Sequence, residues 1–181
     1  MKFSPQQDKA LVAVKDWIEQ GKKPFFYLGG YAGTGKTTLA KHFTEGMRNV
    51  TYAAFTGKAA LQLEKSGIPH ASTVHSLIYK LVLPDREKIL EMEAKLAAAQ
   101  DPEEAEECFR ELKKLREPHF ELNPDSDLLD SDLLVLDECS MINQEMADDL
   151  LDFEVPILVL GDPGQLPPGQ TNGVHQAGQA P

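Results

Sequence analysis

Gly30-Tyr31-Ala32-Gly33-Thr34-Gly35-Lys36-Thr37 is the stretch on which the fold turns. It has the Gly-x-x-x-x-Gly-Lys-Thr pattern of a phosphate-binding loop set between a strand and a helix. The spacing has a mechanical reason. Glycines let successive backbone N–H groups turn inward around phosphate oxygens. The helix that follows adds the positive end of its dipole. Lys36 is placed to reach the β- and γ-phosphates, and Thr37 to offer its hydroxyl to magnesium. The expected nucleotide-binding residues are therefore Gly30, Ala32, Gly33, Thr34, Gly35, Lys36, Thr37 and Thr38, with ATP and Mg²⁺ as cofactors.

The flanks agree with this reading. Phe25 to Leu28 is a short apolar run that predicts a buried strand, and a helix is expected from about Lys36 to Met47. Upstream, Leu11, Val14, Trp17 and Ile18 recur at helical spacing between a Ser4 N-cap and a Gly21 stop. Downstream, Val50 to Phe55 reads as a strand and Gly57 to Ser66 as a helix, and Ser72-Thr73 caps a short helix through Tyr79. Leu133 to Leu136 and Ile157 to Leu160 read as further buried strands, with a helix from Gln144 to Phe153 between them. Short apolar strands alternating with helices predict an α/β fold: a P-loop nucleoside triphosphatase (NTPase) with a parallel sheet and helices on both faces.

Residues 85–117 differ in character. They are rich in Glu, Lys, Ala and Leu, with Ile89, Leu90, Leu96, Phe109, Leu112 and Leu115 as sparse apolar points. Asp101-Pro102-Glu103-Glu104 restarts a helix with an N-cap, a first-turn proline and acids at the positive dipole end. We expect a mainly helical insertion over 84–127 inside a domain of residues 1–168, and a disordered tail over 169–181.

Two strand ends carry further chemistry. Leu133-Leu134-Val135-Leu136 delivers Asp137 and Glu138 at its C-terminal end, the edge at which ligands bind in open α/β sheets. Asp137 is suited, with Thr37, to the magnesium shell, and Glu138 to polarising a water for attack on the γ-phosphate. The last strand ends in Gly161-Asp162-Pro163-Gly164-Gln165-Leu166-Pro167-Pro168. Gln165 can donate to a γ-phosphate and accept from a water. Lys36, Glu138 and Gln165 are the expected catalytic residues.

Taken together and in order, these motifs resemble the first RecA-like domain of a superfamily 1B DNA helicase, of the RecD-like and phage Dda-like kind. Phe3-Ser4-Pro5-Gln6-Gln7 resembles that family's Q motif, which implies that Gln7 reads the adenine edge. Ala54-Phe55-Thr56-Gly57-Lys58-Ala59-Ala60 resembles motif Ia, and Ser72-Thr73-Val74-His75-Ser76-Leu77 the following Thr-x-His motif. Both lie on the DNA side in the family. The resemblance implies ATP hydrolysis coupled to 5′→3′ DNA unwinding, with single-stranded DNA as partner. Phe55, Thr56, Lys58, Ser72, Thr73 and His75 are the DNA-contacting candidates. Their hydroxyl, amine and imidazole groups suit phosphate oxygens. The faces of Phe55 and Tyr79 suit base stacking, although each also suits a core.

Charge is unevenly spread. The net charge is −11, yet residues 1–84 hold 11 Lys and Arg against 5 Asp and Glu. Residues 118–181 hold 13 acids and no Lys or Arg. Local positive potential is what draws phosphates, and here it surrounds the P-loop. The family needs a second RecA-like domain to supply arginines to the ATP site, and this sequence has no Lys or Arg after Arg116. We therefore expect weak activity of the isolated chain and a second RecA-like domain in trans or in a longer parent. A stand-alone nucleotide-binding module and a small-molecule P-loop kinase are the alternatives. Two cysteines without a disulfide pattern, no apolar run of membrane-spanning length and no signal peptide point to a cytoplasmic protein without a membrane partner.

Overall fold

The first helix, α1 (Pro5–Gln20), starts where the sequence places it, because its cap is complete. The Ser4 side chain accepts from the Gln7 N–H, and the Gln7 side chain accepts from the Ser4 N–H. Gly21 ends the helix with φ +57°, a left-handed conformation that glycine adopts without strain. Val14 and Trp17 face the core, and Leu11 and Ile18 pack against it. The computed structural model describes residues 3–21 and 23–164.

The chain divides into two units. The first, Met1–Ile78 with the segment from Asp125 onward, holds a five-stranded parallel sheet flanked by helices. Its strands are β1 (Phe25–Gly29), β2 (Val50–Ala54), β3 (Ser72–Thr73), β6 (Leu133–Asp137) and β7 (Ile157–Gly161), in the spatial order β1-β7-β6-β2-β3. Its remaining helices are α2 (Lys36–Thr44), α3 (Gly57–Lys65), α4 (Val74–Ile78) and α7 (Gln144–Leu151). The fold expected from the sequence is thus the fold observed. Leu133, Leu134, Val135, Leu158 and Leu160 are fully buried, as strands covered on both faces require. Thr44 and Tyr52 meet in this core through a 2.6 Å hydrogen bond between their hydroxyls, which satisfies both.

Register fixes the site. Gly29 pairs with Gly161, Leu160 with Asp137, Asp137 with Ala54, and Ala54 with Thr73. The strands are parallel, so their C-terminal ends line one edge of the sheet. The P-loop, the segment from Phe55 to Lys58, the segment from Val74 to His75, the Glu138 turn and the Asp162 turn all leave from that edge.

The second unit, Tyr79–Pro124, holds β4 (Tyr79–Val82), α5 (Arg86–Ala98), α6 (Pro102–Arg116) and β5 (His119–Leu122). The two helices form as the composition predicts, with Asp85 and Asp101 as N-caps. The antiparallel ribbon of β4 and β5 was not anticipated from the sequence. Tyr79, read as the end of a short helix, instead opens β4, and Ser72-Thr73, read as a cap only, also forms β3. α5 buries no residue and α6 buries only Leu112; of the other apolar points, Leu90 and Phe109 are exposed and Ile89, Leu96 and Leu115 are half-buried.

A single close approach carries a prediction. The Tyr27 ring lies over Gly29 and Gly161, the paired ends of β1 and β7. A Cβ on Gly161 would come closer than 3.0 Å to three atoms of that ring. Gly161→Ala should therefore lower stability by about 1–3 kcal/mol, the usual cost of overpacking. Adding Tyr27→Val should make room for the methyl and recover most of the loss. Urea unfolding of the two variants checks this; a Gly161→Ala chain as stable as its parent refutes the wedge.

Candidate nucleotide site

The P-loop takes its shape from two glycines and one threonine. Gly33 and Gly35 have φ +79° and +83°, where any side chain would be strained. Thr34 closes a turn: its N–H and its hydroxyl both donate to the Tyr31 carbonyl, the latter at 2.8 Å. Gly30 donates its N–H to the Gly161 carbonyl at 3.0 Å, which anchors the loop to β7. A Cβ on Gly30 would meet the Thr34 hydroxyl at 2.8 Å, so only glycine leaves this turn closed.

Lys36 folds back along the loop. Its ammonium donates to the carbonyls of Gly30 at 2.5 Å and Tyr31 at 3.1 Å. Gln7 straps the loop from the other side, donating from Nε2 to the Thr34 carbonyl at 3.1 Å. Its Oε1 is held by the Ser4 N–H at 2.9 Å. The residue expected at an adenine edge thus has both ends of its amide engaged with backbone.

Across the cleft, Thr37 and Asp137 converge. The Thr37 hydroxyl donates to Asp137 Oδ2 at 3.2 Å, and the other carboxylate oxygen accepts from the Glu138 N–H at 3.0 Å. A hydroxyl and a carboxylate so placed form the oxygen set that suits magnesium, a hard cation. Glu138 sits at φ +56°, left-handed for a residue with a Cβ, and its carboxylate is exposed to the cleft. Such a conformation costs about 1–2 kcal/mol and turns the chain sharply at the strand end.

The cleft has a volume of about 400 Å³. Its lining includes Ala32, Gly33, Gly35, Lys36, Thr37 and Thr38 from the P-loop, with Asp137 and Glu138 opposite. Cys139, Ser140, Asp162 and a wall from α3 also line the cleft, with no role assigned to them from the sequence. Burial raises the Cys139 thiol above its ordinary pKa, and the Asp137 carboxylate adds to the rise. The thiol therefore stays protonated near neutrality in the metal-free chain. Tyr27 is likewise raised, first by burial and then by charge at Cys139 and Asp162.

The nucleic-acid candidates lie on two neighbouring strand ends. Lys58 and His75 are exposed, and Phe55, Thr56 and Thr73 are half-buried. Thr56 caps α3 by accepting the Ala59 N–H at 3.2 Å. Thr73 accepts the Ser76 N–H at 3.1 Å. The Ser72 hydroxyl is sealed from solvent, with no hydrogen-bond partner among the described residues. Gln165 and the expected tail lie outside the described residues.

Comparison with known proteins agrees with this geometry. The AAA domain family matches residues 2–179. Uncharacterized protein R530 of Acanthamoeba polyphaga mimivirus is 32% identical over 179 residues, covering 92% of this chain and 33% of its own length. The Bacteroides sp. Pif1 crystal structure with ADP-AlF4 matches 95% of this chain at a TM-score of 0.53 and 23% identity, over 35% of its own length. A Bacteroides Pif1 helicase crystal structure with ADP-AlF3 and single-stranded DNA matches 90% at 0.52 and 22% identity, over 32% of its own length. The chain thus spans about a third of the length of these relatives. Among the described residues, no helix is long and apolar enough to cross a membrane. The chain belongs to the AAA domain family, and it has the RecA-like P-loop fold that the Pif1 helicases share.

Proposed function

We propose that this chain is the ATP-binding motor domain of a DNA helicase, working 5′→3′ with a second RecA-like domain in the cytoplasm. The observation that carries the proposal is the meeting of Thr37 and Asp137 at 3.2 Å beside Lys36 and Glu138. These four side chains offer a phosphate cation, a metal-binding pair and a general base within one cleft. Its two free cysteines suit a reducing compartment.

The cleft's own charge supports magnesium. Among the described lining residues, Lys36 is the one cation, against the carboxylates of Asp137, Glu138 and Asp162. A triphosphate entering alone would meet repulsion. Thr37 and Asp137 would hold magnesium, which supplies neutralising charge to β- and γ-phosphate oxygens when bound. Lys36 exchanges the Gly30 and Tyr31 carbonyls for phosphate oxygens, which keeps its hydrogen bonds but adds a charge-assisted interaction. Glu138 accepts a proton from the attacking water and orients it. Gln7 keeps the loop strapped and can trade the Ser4 N–H for an adenine amine. Gln165 is proposed to bridge water and γ-phosphate, and arginines from the second domain to stabilise the transition state.

Single-stranded DNA is proposed along the ends of β2 and β3. Thr56 uses its oxygen to cap α3, so its O–H is left to donate to a phosphate. Lys58 is exposed beside it. Phe55 offers a half-buried ring for stacking, worth about 1–3 kcal/mol per base. The Bacteroides relative crystallised with single-stranded DNA supports this choice of partner.

Three outcomes are expected. Lys36→Ala should abolish binding of ATP–magnesium in calorimetry, and chelating magnesium should weaken wild-type binding; unchanged affinity in either case rejects the site. Glu138→Gln should retain nucleotide and lose phosphate release, so persistent hydrolysis would point to another base. Affinity for a fluorescent single-stranded oligonucleotide should fall with salt, and Lys58→Ala should flatten the log–log slope by about one. A slope that Lys58→Ala leaves unaltered removes that residue from the DNA path.

A further inference from the structure

Beyond Ala59, the α3 wall of the cleft lies outside the motifs quoted above. It consists of Ala59, Gln62, Leu63 and Ser66. Their spacing, three, four and seven residues on from Ala59, marks one face of a helix. Ala59 and Leu63 are the apolar members, with Leu63 buried at 3% exposure. Ser66 already donates its hydroxyl to the Leu63 carbonyl at 2.6 Å. Gln62 is different. Its side-chain amide forms no hydrogen bond among the described residues, and it has a donor and an acceptor to offer the cleft.

Sheet order says which part of the cleft it faces. The P-loop leaves β1 at one edge strand, and Asp137 ends β6, two places across. α3 follows β2, the next strand beyond β6, and Ala54 at the end of β2 pairs with Asp137. The α3 wall therefore stands on the Asp137 side of the cleft, away from Gly30 and Gly161. On the same face of the sheet, α3 is tied to α2 by Lys41, which donates to the Ser66 carbonyl at 2.8 Å. Thr37 and Thr38, at the start of α2, and Gln62, on α3, all line this cleft.

We propose that Gln62 is a further contact residue of this site, hydrogen-bonding the hydrated magnesium–phosphate group from the α3 side. The proposal rests on the ATP–magnesium reading above. A neutral amide suits the position. It accepts from a metal-bound water or donates to a phosphate oxygen, and it adds no charge to a cleft already rich in carboxylates. Because α3 begins at the Thr56 cap, the contact also joins the proposed DNA loop to the nucleotide through one rigid helix of about 13 Å.

Calorimetry on the full chain tests it, with ATP in magnesium and ATP in EDTA as the two titrants. Gln62 is exposed, so Gln62→Ala should fold. It should weaken ATP–magnesium by about three- to tenfold, one hydrogen bond's worth, and leave ATP in EDTA within twofold. Leu61→Ala, on the opposite exposed face, should change neither. Gln62→Ala binding ATP–magnesium within twofold of wild type overturns the proposal. So does an equal loss with both titrants, which would mean a general effect on the loop. If wild type itself binds no ATP–magnesium, or Lys36→Ala binds it equally well, the site reading falls and this inference falls with it. A null result confined to Gln62→Ala removes the α3 contact alone.

Discussion

Parallel pairing in a single register is the constraint on which the site depends. Thr37 and Asp137 are 100 residues apart in the chain, and only the sheet brings them to 3.2 Å. β7 lies between the strand that launches the P-loop and the strand that ends in Asp137. A slip of one residue in β6 would turn Asp137 to the opposite face of the sheet. The slip is opposed by burial, because Leu133, Leu134 and Val135 are each fully enclosed. Packing of apolar strands thus sets the position of a carboxylate.

The same arrangement explains why the backbone is unusual where it is. Among the described residues, three non-glycine positions have positive φ, and Glu138 is the one that lines the cleft. Asp137 stabilises it locally by accepting the Glu138 N–H. The short helical turn that follows, Cys139–Met141, stays close to the end of β7. Strain of this size persists only where surrounding contacts over-determine the turn. Here they include the packing of the Cys139–Met141 turn, with its half-buried Cys139, against β7.

Much of this was legible in the sequence because it is local. The P-loop, the Asp137–Glu138 strand end and α1 each carry their signals within about a dozen residues: glycines, an apolar run, a capping box. The misses are non-local. β3 is two residues long and exists only because β2 is there to pair with it. β4 and β5 are separated by two helices, and Leu81 and Phe120 pair across the ribbon while both stay exposed. Neither strand has a buried face to impose a clean alternation. The place of Gln62 was equally hidden. Helical spacing puts it with Ala59 and Leu63, but only the strand order reveals that this face meets the cleft rather than solvent.

Electrostatics sets what the proposed second domain would have to supply. The cleft is lined by one ammonium and three carboxylates among its described residues, so a bound triphosphate and its developing charge exceed what Lys36 can balance. One divalent cation held by Thr37 and Asp137, as proposed, would offset part of the excess. The basic first half of the sequence adds only a diffuse field, screened beyond about 8 Å at physiological salt. Charge that builds on the γ-phosphate during transfer needs cations at contact distance. A wall of arginines closing over the P-loop meets that need, whereas an apolar lid would bury the same charge without compensation. The chain's own acidity at this edge therefore favours a basic partner surface over an apolar one.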